Sequence, residues 1–261
     1  MMGETGGGVG TRRSIPGLEP GEVAWPEGAC SLLVIALEHP AGQPEMDWWF
    51  GHSDPPGNRM LADIVERLCD WIPESFGIQT SHLPYHVERG GTYLKDAAAV
   101  AGLGCIGRNN LLITREYGPR VRLRALTLEV DLPSSGAVAE AGVGAHGDPV
   151  RFDPCAGCDA PCLRACPQGA FADLIYDPLA QGLQELRGRL PGKTGHFSRA
   201  ACTVQMEADI ANAAEWPIAQ ALGADSGRPG AAAGDVMKVI RYCRACELSC
   251  PVGSPGNLDR C

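Results

Sequence analysis

The chain has 261 residues, 44% of them hydrophobic, enough to build a core for one large domain or two small ones. Only 6% are aromatic, while 34 Gly and 21 Pro imply many turns. Lys plus Arg number 22 against 31 Asp plus Glu, and the formal charge of −9 argues against nucleic acid or an anionic membrane surface as the main partner.

No run of 18 apolar residues occurs, so no membrane-spanning helix is expected. Arg12-Arg13 near the start is followed by no apolar stretch, which argues against an export signal and for a cytoplasmic protein. Residues 1–28 read as a disordered tail and lead-in. Ser31–Leu37 is a short, partly β-branched apolar run and reads as a buried strand. Residues 40–57 read as a long loop whose Trp48, Trp49 and Phe50 should pack on the body or line a pocket. Asn58 is expected to cap a helix in which Leu61, Ile64, Val65, Leu68 and Ile72 recur at helical spacing, with Pro73 stopping it. A strand follows around 78–84. Thr92 should cap a second helix, Leu94–Ala101, ended by Gly102. Asn110–Thr114 and Val121–Val130 read as strands joined as a hairpin through Tyr117-Gly118-Pro119. The stretch 133–149 reads as a linker. Ser198 should cap a helix through Ala213, and Asp235 a further helix running into Cys243, with a mobile loop at 222–234.

Of twelve cysteines, eight lie between Cys155 and Cys250 in tight groups, which is metal or cluster usage in a reducing compartment. The first group is Cys155-x2-Cys158-x3-Cys162-x3-Cys166-Pro167 and the second is Cys243-x2-Cys246-x3-Cys250-Pro251. A C-x2-C pair puts two thiolates on one turn. A following C-x3-C-P is the bacterial ferredoxin pattern, in which the last cysteine leaves the local cluster and ligates the other one. The first group supplies four thiols, the second three, and Cys202 completes eight. This predicts two [4Fe–4S] clusters by exchange: Cys155, Cys158 and Cys162 with Cys250, and Cys202, Cys243 and Cys246 with Cys166. C-x2-C pairs also serve structural zinc, but two C-x3-C-P endings favour iron–sulfur. Cys158 to Cys162 is one residue longer than the usual x2, and the extra residue can bulge beside Pro161. Cys30 and Cys69 read as core, and Cys261 carries no signal.

Gly102-Leu-Gly104-Cys105-Ile-Gly107 fits G-x-G-x-x-G, yet it follows a helix and precedes a strand, the reverse of a dinucleotide-binding turn. Nicotinamide binding is therefore not expected by this route. Three glycines still let backbone approach something closely, a flat cofactor or another chain segment.

The block Lys95 to Ile113 (KDAAAVAGLGCIGRNNLLI), then Glu116-Tyr117-Gly118, then the double cysteine motif, resembles the epoxyqueuosine reductase family. More broadly it is similar to the cobalamin-dependent reductases, which include reductive dehalogenases. The strand Ser31–Leu37 followed by Glu38-His39-Pro40 fits the start of that core. The resemblance spans about residues 29–255. It implies an α+β fold, a nitroreductase-like core over 29–150 followed by a bacterial ferredoxin-like two-cluster module over 151–261. It also implies cobalamin held base-off above the first cluster, with Gly102, Gly104, Cys105, Gly107 and Arg108 at the cofactor, and Glu88 as the proton-donating acid where the family has Asp. Cys105 stands where the family has an aromatic. An external donor of ferredoxin or flavodoxin type and a small-molecule substrate are implied. The absence of C-terminal helical repeats, with the acidic balance, argues against tRNA. Two rivals stay open: a non-catalytic electron carrier or reductive activator of a partner corrinoid protein, and a flavin-dependent reductase.

The histidines, including His82 and His86 near Glu88, read as core or surface residues. Arg108, Arg120, Arg122 and Arg124 read either as anion ligands or, slightly favoured, as a solvated strand face. Tyr85 and Tyr93 are candidate proton donors.

Overall fold

The computed structural model describes residues 23–51, 54–133, 142–143, 149–150, 152–175, 195–217 and 236–254, with the backbone alone at Glu88, 142–143 and 149–150. Most of the tail, most of the linker 133–149, the loop 222–234, Asp235 and Cys261 therefore lie outside the described residues.

All strand ladders among them are antiparallel, and helices pack on sheet faces, which is an α+β arrangement. The main sheet has β1 (Ser31–Glu38) and β3 (Thr80–His82) on either side of β6 (Val121–Leu128). Register pairs Leu33 with Leu126 and Ile35 with Arg124, so these residues share a face. That face packs under α1 (Pro56–Phe76), where Val65 and Ile72 meet Leu126, Leu128, Leu33 and Ile35. The residues between them point the other way. Val34, Val121 and Leu123 pack against α2 (Leu94–Val100) and the hairpin of β4 (Cys105–Ile106) and β5 (Leu112–Ile113). One three-stranded sheet thus carries two small cores, one per face.

A second sheet joins distant parts of the chain. β2 (Trp49–Phe50) pairs with β10 (Val236–Ile240), which pairs with β9 (Ala214–Pro217). The short strands β7 (Gly142–Val143) and β8 (Pro149–Val150) pair with each other. Among the described residues no helix is long and apolar enough to cross a membrane.

Several elements differ from the sequence reading, each for a local reason. The loop 40–57 contains β2, because Trp48 and Trp49 are recruited by aromatic partners. Trp48 meets Trp216 edge-on at 5.5 Å and Trp49 meets Tyr242 at 5.9 Å, while the Arg241 guanidinium lies 4.2 Å from the Trp48 ring. α1 begins at Pro56, whose fixed φ suits a first helical position, so Asn58 lies inside the first turn and caps nothing. Its buried side chain instead accepts from Arg122 Nη1 at 2.6 Å.

Pro73 does not stop α1. The carbonyl it leaves without an intrahelical partner, that of Cys69, accepts the Thr80 hydroxyl at 2.9 Å, and the helix continues to Phe76 before Gly77 closes it at φ 68°. α2 is flanked by Tyr93, not capped by Thr92. The chain does turn at Thr114–Gly118, but β5 pairs back onto β4 and β6 leaves to sit between β1 and β3, so the expected hairpin is absent. Residues 236–240 are a strand: alternating exposure with Val239 buried is a period of two, which the helix reading passed over. The helix capped by Ser198 is present as α4 (Arg199–Ala211), the Ser198 hydroxyl accepting from the Ala201 N–H at 3.2 Å. Two short helices, α3 (Pro161–Arg164) and α5 (Ala245–Leu248), lie one in each cysteine motif and pack on each other.

Candidate functional site

The packing of α3 on α5 brings the two cysteine motifs face to face. Cys155, Cys158, Cys162 and Cys250 line one narrow cavity, together with Arg108, Asn109 and Pro251. Cys166, Cys202, Cys243 and Cys246 line a second, of about 260 Å³, with Pro167 and again Asn109. The structure brings the eight thiols together in these two groups. The longer Cys158–Cys162 spacing is absorbed at Ala160, which takes a left-handed conformation at φ 51° before Pro161 opens α3.

Backbone donors face the sulfurs: Ala160 N–H to Cys158 Sγ at 3.4 Å and Ala170 N–H to Cys166 Sγ at 3.3 Å. Burial, then the neighbouring thiols, push Cys246 up to about 12 and Cys250 up to about 11 from an ordinary 9.0, and raise Cys155, Cys162 and Cys202. Such crowding of thiols is unfavourable for free thiolates and is relieved when a metal centre takes their charge. An all-sulfur donor set with amides aimed at it fits an iron–sulfur cluster. Among the described residues no three His, Cys, Asp or Glu side chains are disposed to hold a single metal ion.

A pH consequence follows. Thiols raised from 9.0 to about 11 and about 12 favour the metal-free fold below pH 9 and withdraw that support as pH climbs through about 12. The metal-free protein should lose stability between those limits, whereas a metal-loaded sample, its thiolates already ionised, should not. Urea titrations at pH 8 and pH 11 on both forms check this; equal losses in the two would contradict it.

The glycine block leads into the tip that touches both cavities, Arg108 and Asn109 lining the first and Asn109, Asn110 and Leu111 the second. A Cβ on Gly104 would lie 2.0 Å from the Ile113 carbonyl oxygen, and one on Gly107 would lie 2.7 Å from Ile113 Cγ1. Those glycines let β4 and β5 close on each other, and Gly102 turns the chain at φ 82°. Gly104→Ala should therefore destabilise by about 1–3 kcal/mol through overpacking. Gly42→Ala, with nothing within 4 Å of its added Cβ, is the control, and equal denaturation midpoints for the two would contradict the assignment.

At the tip, Arg108 Nη1 donates to the Cys158 carbonyl at 3.3 Å. Asn109, 3% exposed, donates to the Cys246 carbonyl at 3.2 Å, so one buried amide is wall to both cavities. Cys105 is buried with Ile113, Cys250 and Val252, and Phe152 packs on this group. Phe152 also lines a cavity of about 370 Å³, together with Gly102, Gly104, Arg115, Glu116 and Tyr117 among others. Of the expected cofactor residues, Gly102 and Gly104 line this cavity, Cys105 and Gly107 do not, and Arg108 turns to the thiols. Glu88 lies in a one-turn 3-10 helix, Val87–Arg89, and its side chain is outside what is described.

Sequence reasoning missed an ion network that ties the first half of the chain to the second cysteine motif. His39 Nδ1 donates to both oxygens of Asp47 at 2.9 and 3.0 Å, and Arg122 and Arg244 both pair with Asp47. Arg244, between Cys243 and Cys246, also pairs with Glu247. Burial alone would raise Asp47, but the His39 hydrogen bond and the charges of His39, Arg122 and Arg244 outweigh it and hold the carboxyl below 3.8. The arginines are thus not a solvated face: Arg122 is in this network, and Arg120 donates from the interior to the Val252 carbonyl at 2.7 Å. Cys30 is exposed, against expectation, while Cys69 packs partly into the α1 core.

No protein-family profile matches the chain. Over 116 residues it is 28% identical to the epoxyqueuosine reductase of Synechocystis sp. (strain ATCC 27184 / PCC 6803 / Kazusa), a stretch covering 44% of this chain and 35% of that protein. It is similar to the solved epoxyqueuosine reductase of Streptococcus thermophilus (TM-score 0.46, 20% identity, 87% of this chain and 50% of that one). It is also similar to an epoxyqueuosine reductase solved with a tRNA-Tyr epoxyqueuosine-modified stem loop (TM-score 0.49, 17% identity, 88% and 50%). The expected resemblance to epoxyqueuosine reductases is therefore found, and the chain spans about half the length of the solved relatives. The argument against tRNA is overturned, since a protein of this kind was solved with a tRNA stem loop. Net charge is a sum over the whole surface, whereas a phosphate backbone reads local patches.

Proposed function

We propose that this chain, related in sequence to epoxyqueuosine reductase, is an iron–sulfur reductase whose two four-thiol cavities hold [4Fe–4S] clusters. The observation that supports it is the sorting of eight thiols into two groups sharing Asn109 as a wall. Bound there, such clusters supply one-electron transfer. The chain's own residues set the rest. Cys155, Cys158, Cys162 and Cys250 would be one ligand set and Cys166, Cys202, Cys243 and Cys246 the other. Arg108 brings positive charge to the first. Asn109 holds the spacing between the two. Cys243 is exposed, which marks the side for an external donor of ferredoxin or flavodoxin type.

Cys250 of the first set belongs to the packed group on which Phe152 lies, and Phe152 lines the cavity of about 370 Å³, which is the proposed place of reduction. At about 370 Å³ that cavity is smaller than a whole cobalamin, so its described lining alone does not fit that group. The substrate proposed is a modified nucleoside of the epoxyqueuosine kind carried on tRNA, on the strength of the sequence relationship. Reduction of such an epoxide consumes two electrons and two protons, releasing water and leaving an alkene. Glu88 is the proposed proton source.

The test is turnover of epoxyqueuosine-containing tRNA by anaerobically reconstituted protein with a low-potential reductant. Glu88→Gln should lower the rate by roughly 10²-fold or more while leaving iron content unchanged. An unchanged rate removes Glu88 from its role, and no turnover by an iron-replete wild type removes the reaction.

A further inference from the structure

We propose that a cavity on the α1 face of the main sheet, away from the cysteines, binds a small organic carboxylate with a short apolar tail through Arg124. It does not rest on the redox reading. β3 stops at His82, opposite Leu126, so one edge of β6 is left open beyond that point, at Arg124. α1 and the chain after β3 wall this opening into a cavity of about 180 Å³. Six of its eleven lining residues are apolar, Ala62, Val65, Leu83 and Leu94 among them.

Into this setting the fold places one cation. The Arg124 guanidinium lies 4.6 Å from the centroid of the Tyr85 ring, and its Nε is buried with no hydrogen-bond partner. Buried donors are rarely left unpaired in native proteins. Stacking on Tyr85 covers one flat face of the guanidinium, and with Nε buried a ligand in the cavity would meet Arg124 through its terminal Nη groups. Their N–H bonds form a fork that matches two carboxylate oxygens. Thr92 lines the same cavity and carries a hydroxyl. Glu66 and His82 also line it, but both are exposed, so water screens the repulsion from Glu66. A phosphate would gain nothing from the apolar walls, and a neutral ligand would leave the fork unpaired. A single planar anion on a short hydrocarbon tail satisfies both.

Calorimetric titration of the full chain with butyrate, butyramide and inorganic phosphate tests this. Butyrate should bind in the millimolar range or tighter, with butyramide and phosphate at least about tenfold weaker. Arg124→Gln should abolish the butyrate signal. Ala62→Phe should do the same by filling the cavity with Arg124 still in place, so either variant with a wild-type melting curve suffices. No butyrate binding by the wild type at tens of millimolar would overturn the proposal. So would butyrate binding retained in a folded variant, or phosphate binding as tightly as butyrate.

Discussion

Cys250→Ala is expected to remove about half of the iron that the reconstituted chain carries, and to remove it from the wrong motif as the sequence is written. Cys250 follows Cys246 by four residues, yet it lines the cavity of Cys155, Cys158 and Cys162. Two four-iron centres total about eight irons per chain, so the variant should retain about four. Pairwise variants make the crossing decisive. Combining Cys250→Ala with Cys155→Ala should cost no more iron than either alone, because both empty one site. Combining Cys250→Ala with Cys246→Ala should cost nearly all of it. Local, uncrossed ligation gives the opposite pattern of additivity. The reciprocal variant Cys166→Ala should spare the Cys155 set and empty the Cys202, Cys243 and Cys246 set. Alanine suits the test because it keeps the small volume that packs beside Cys105, Ile113 and Val252, and it offers no ligand.

Asp47→Ala is expected to destabilise the fold by about 3–5 kcal/mol, the range for leaving a buried charge without its partner. Asp47 is 8% exposed and faces two arginines and a histidine, so its removal leaves Arg122 with Asn58 and Arg244 with Glu247 but takes away the carboxylate that the two guanidiniums share. The consequence reaches the proposed second cluster, because Arg244 sits between Cys243 and Cys246. Faster iron loss from the Cys243 set than from the Cys155 set should accompany the lower midpoint in urea. The sign with pH is fixed by a carboxyl held below 3.8: its contribution is present above that value and is lost as pH falls through the folded-state pKa. The acid limb of the wild-type stability curve should therefore flatten in Asp47→Asn. A variant within about 0.5 kcal/mol of wild type, as an ordinary surface change gives, would show that the network carries no net stability.

The parts of this structure that were legible in the sequence are those encoded by local spacing. The apolar run at Ser31–Leu37, the helical recurrence from Leu61 to Ile72 and the Ser198 cap each state their element within a few residues. For the thiols, a C-x3-C-P ending states a long-range expectation in a short motif, and Cys250 does line the cavity of Cys155, Cys158 and Cys162. What was not legible depends on partners far along the chain. Trp49 becomes a strand residue only because β10, nearly two hundred residues later, lies beside it. Pro73 is tolerated only because Thr80 caps the carbonyl it frees. Asp47 reads as one more loop acid until Arg122 and Arg244 converge on it, and no periodicity announces that. The glycine block was the intermediate case: its need for close approach was plain, but the segment approached, Ile113, came from the pairing of β4 with β5.

The most direct test is elemental analysis of the anaerobically prepared, reconstituted full chain for iron, acid-labile sulfide and zinc, read beside its electron paramagnetic resonance after reduction. The account predicts about eight iron and about eight sulfide per chain, negligible zinc, and signals from two reduced clusters close enough to interact. Stoichiometric zinc with no sulfide would contradict it, leaving the eight cysteines as structural ligands and the cavity beside Gly102 and Gly104 without a supply of electrons.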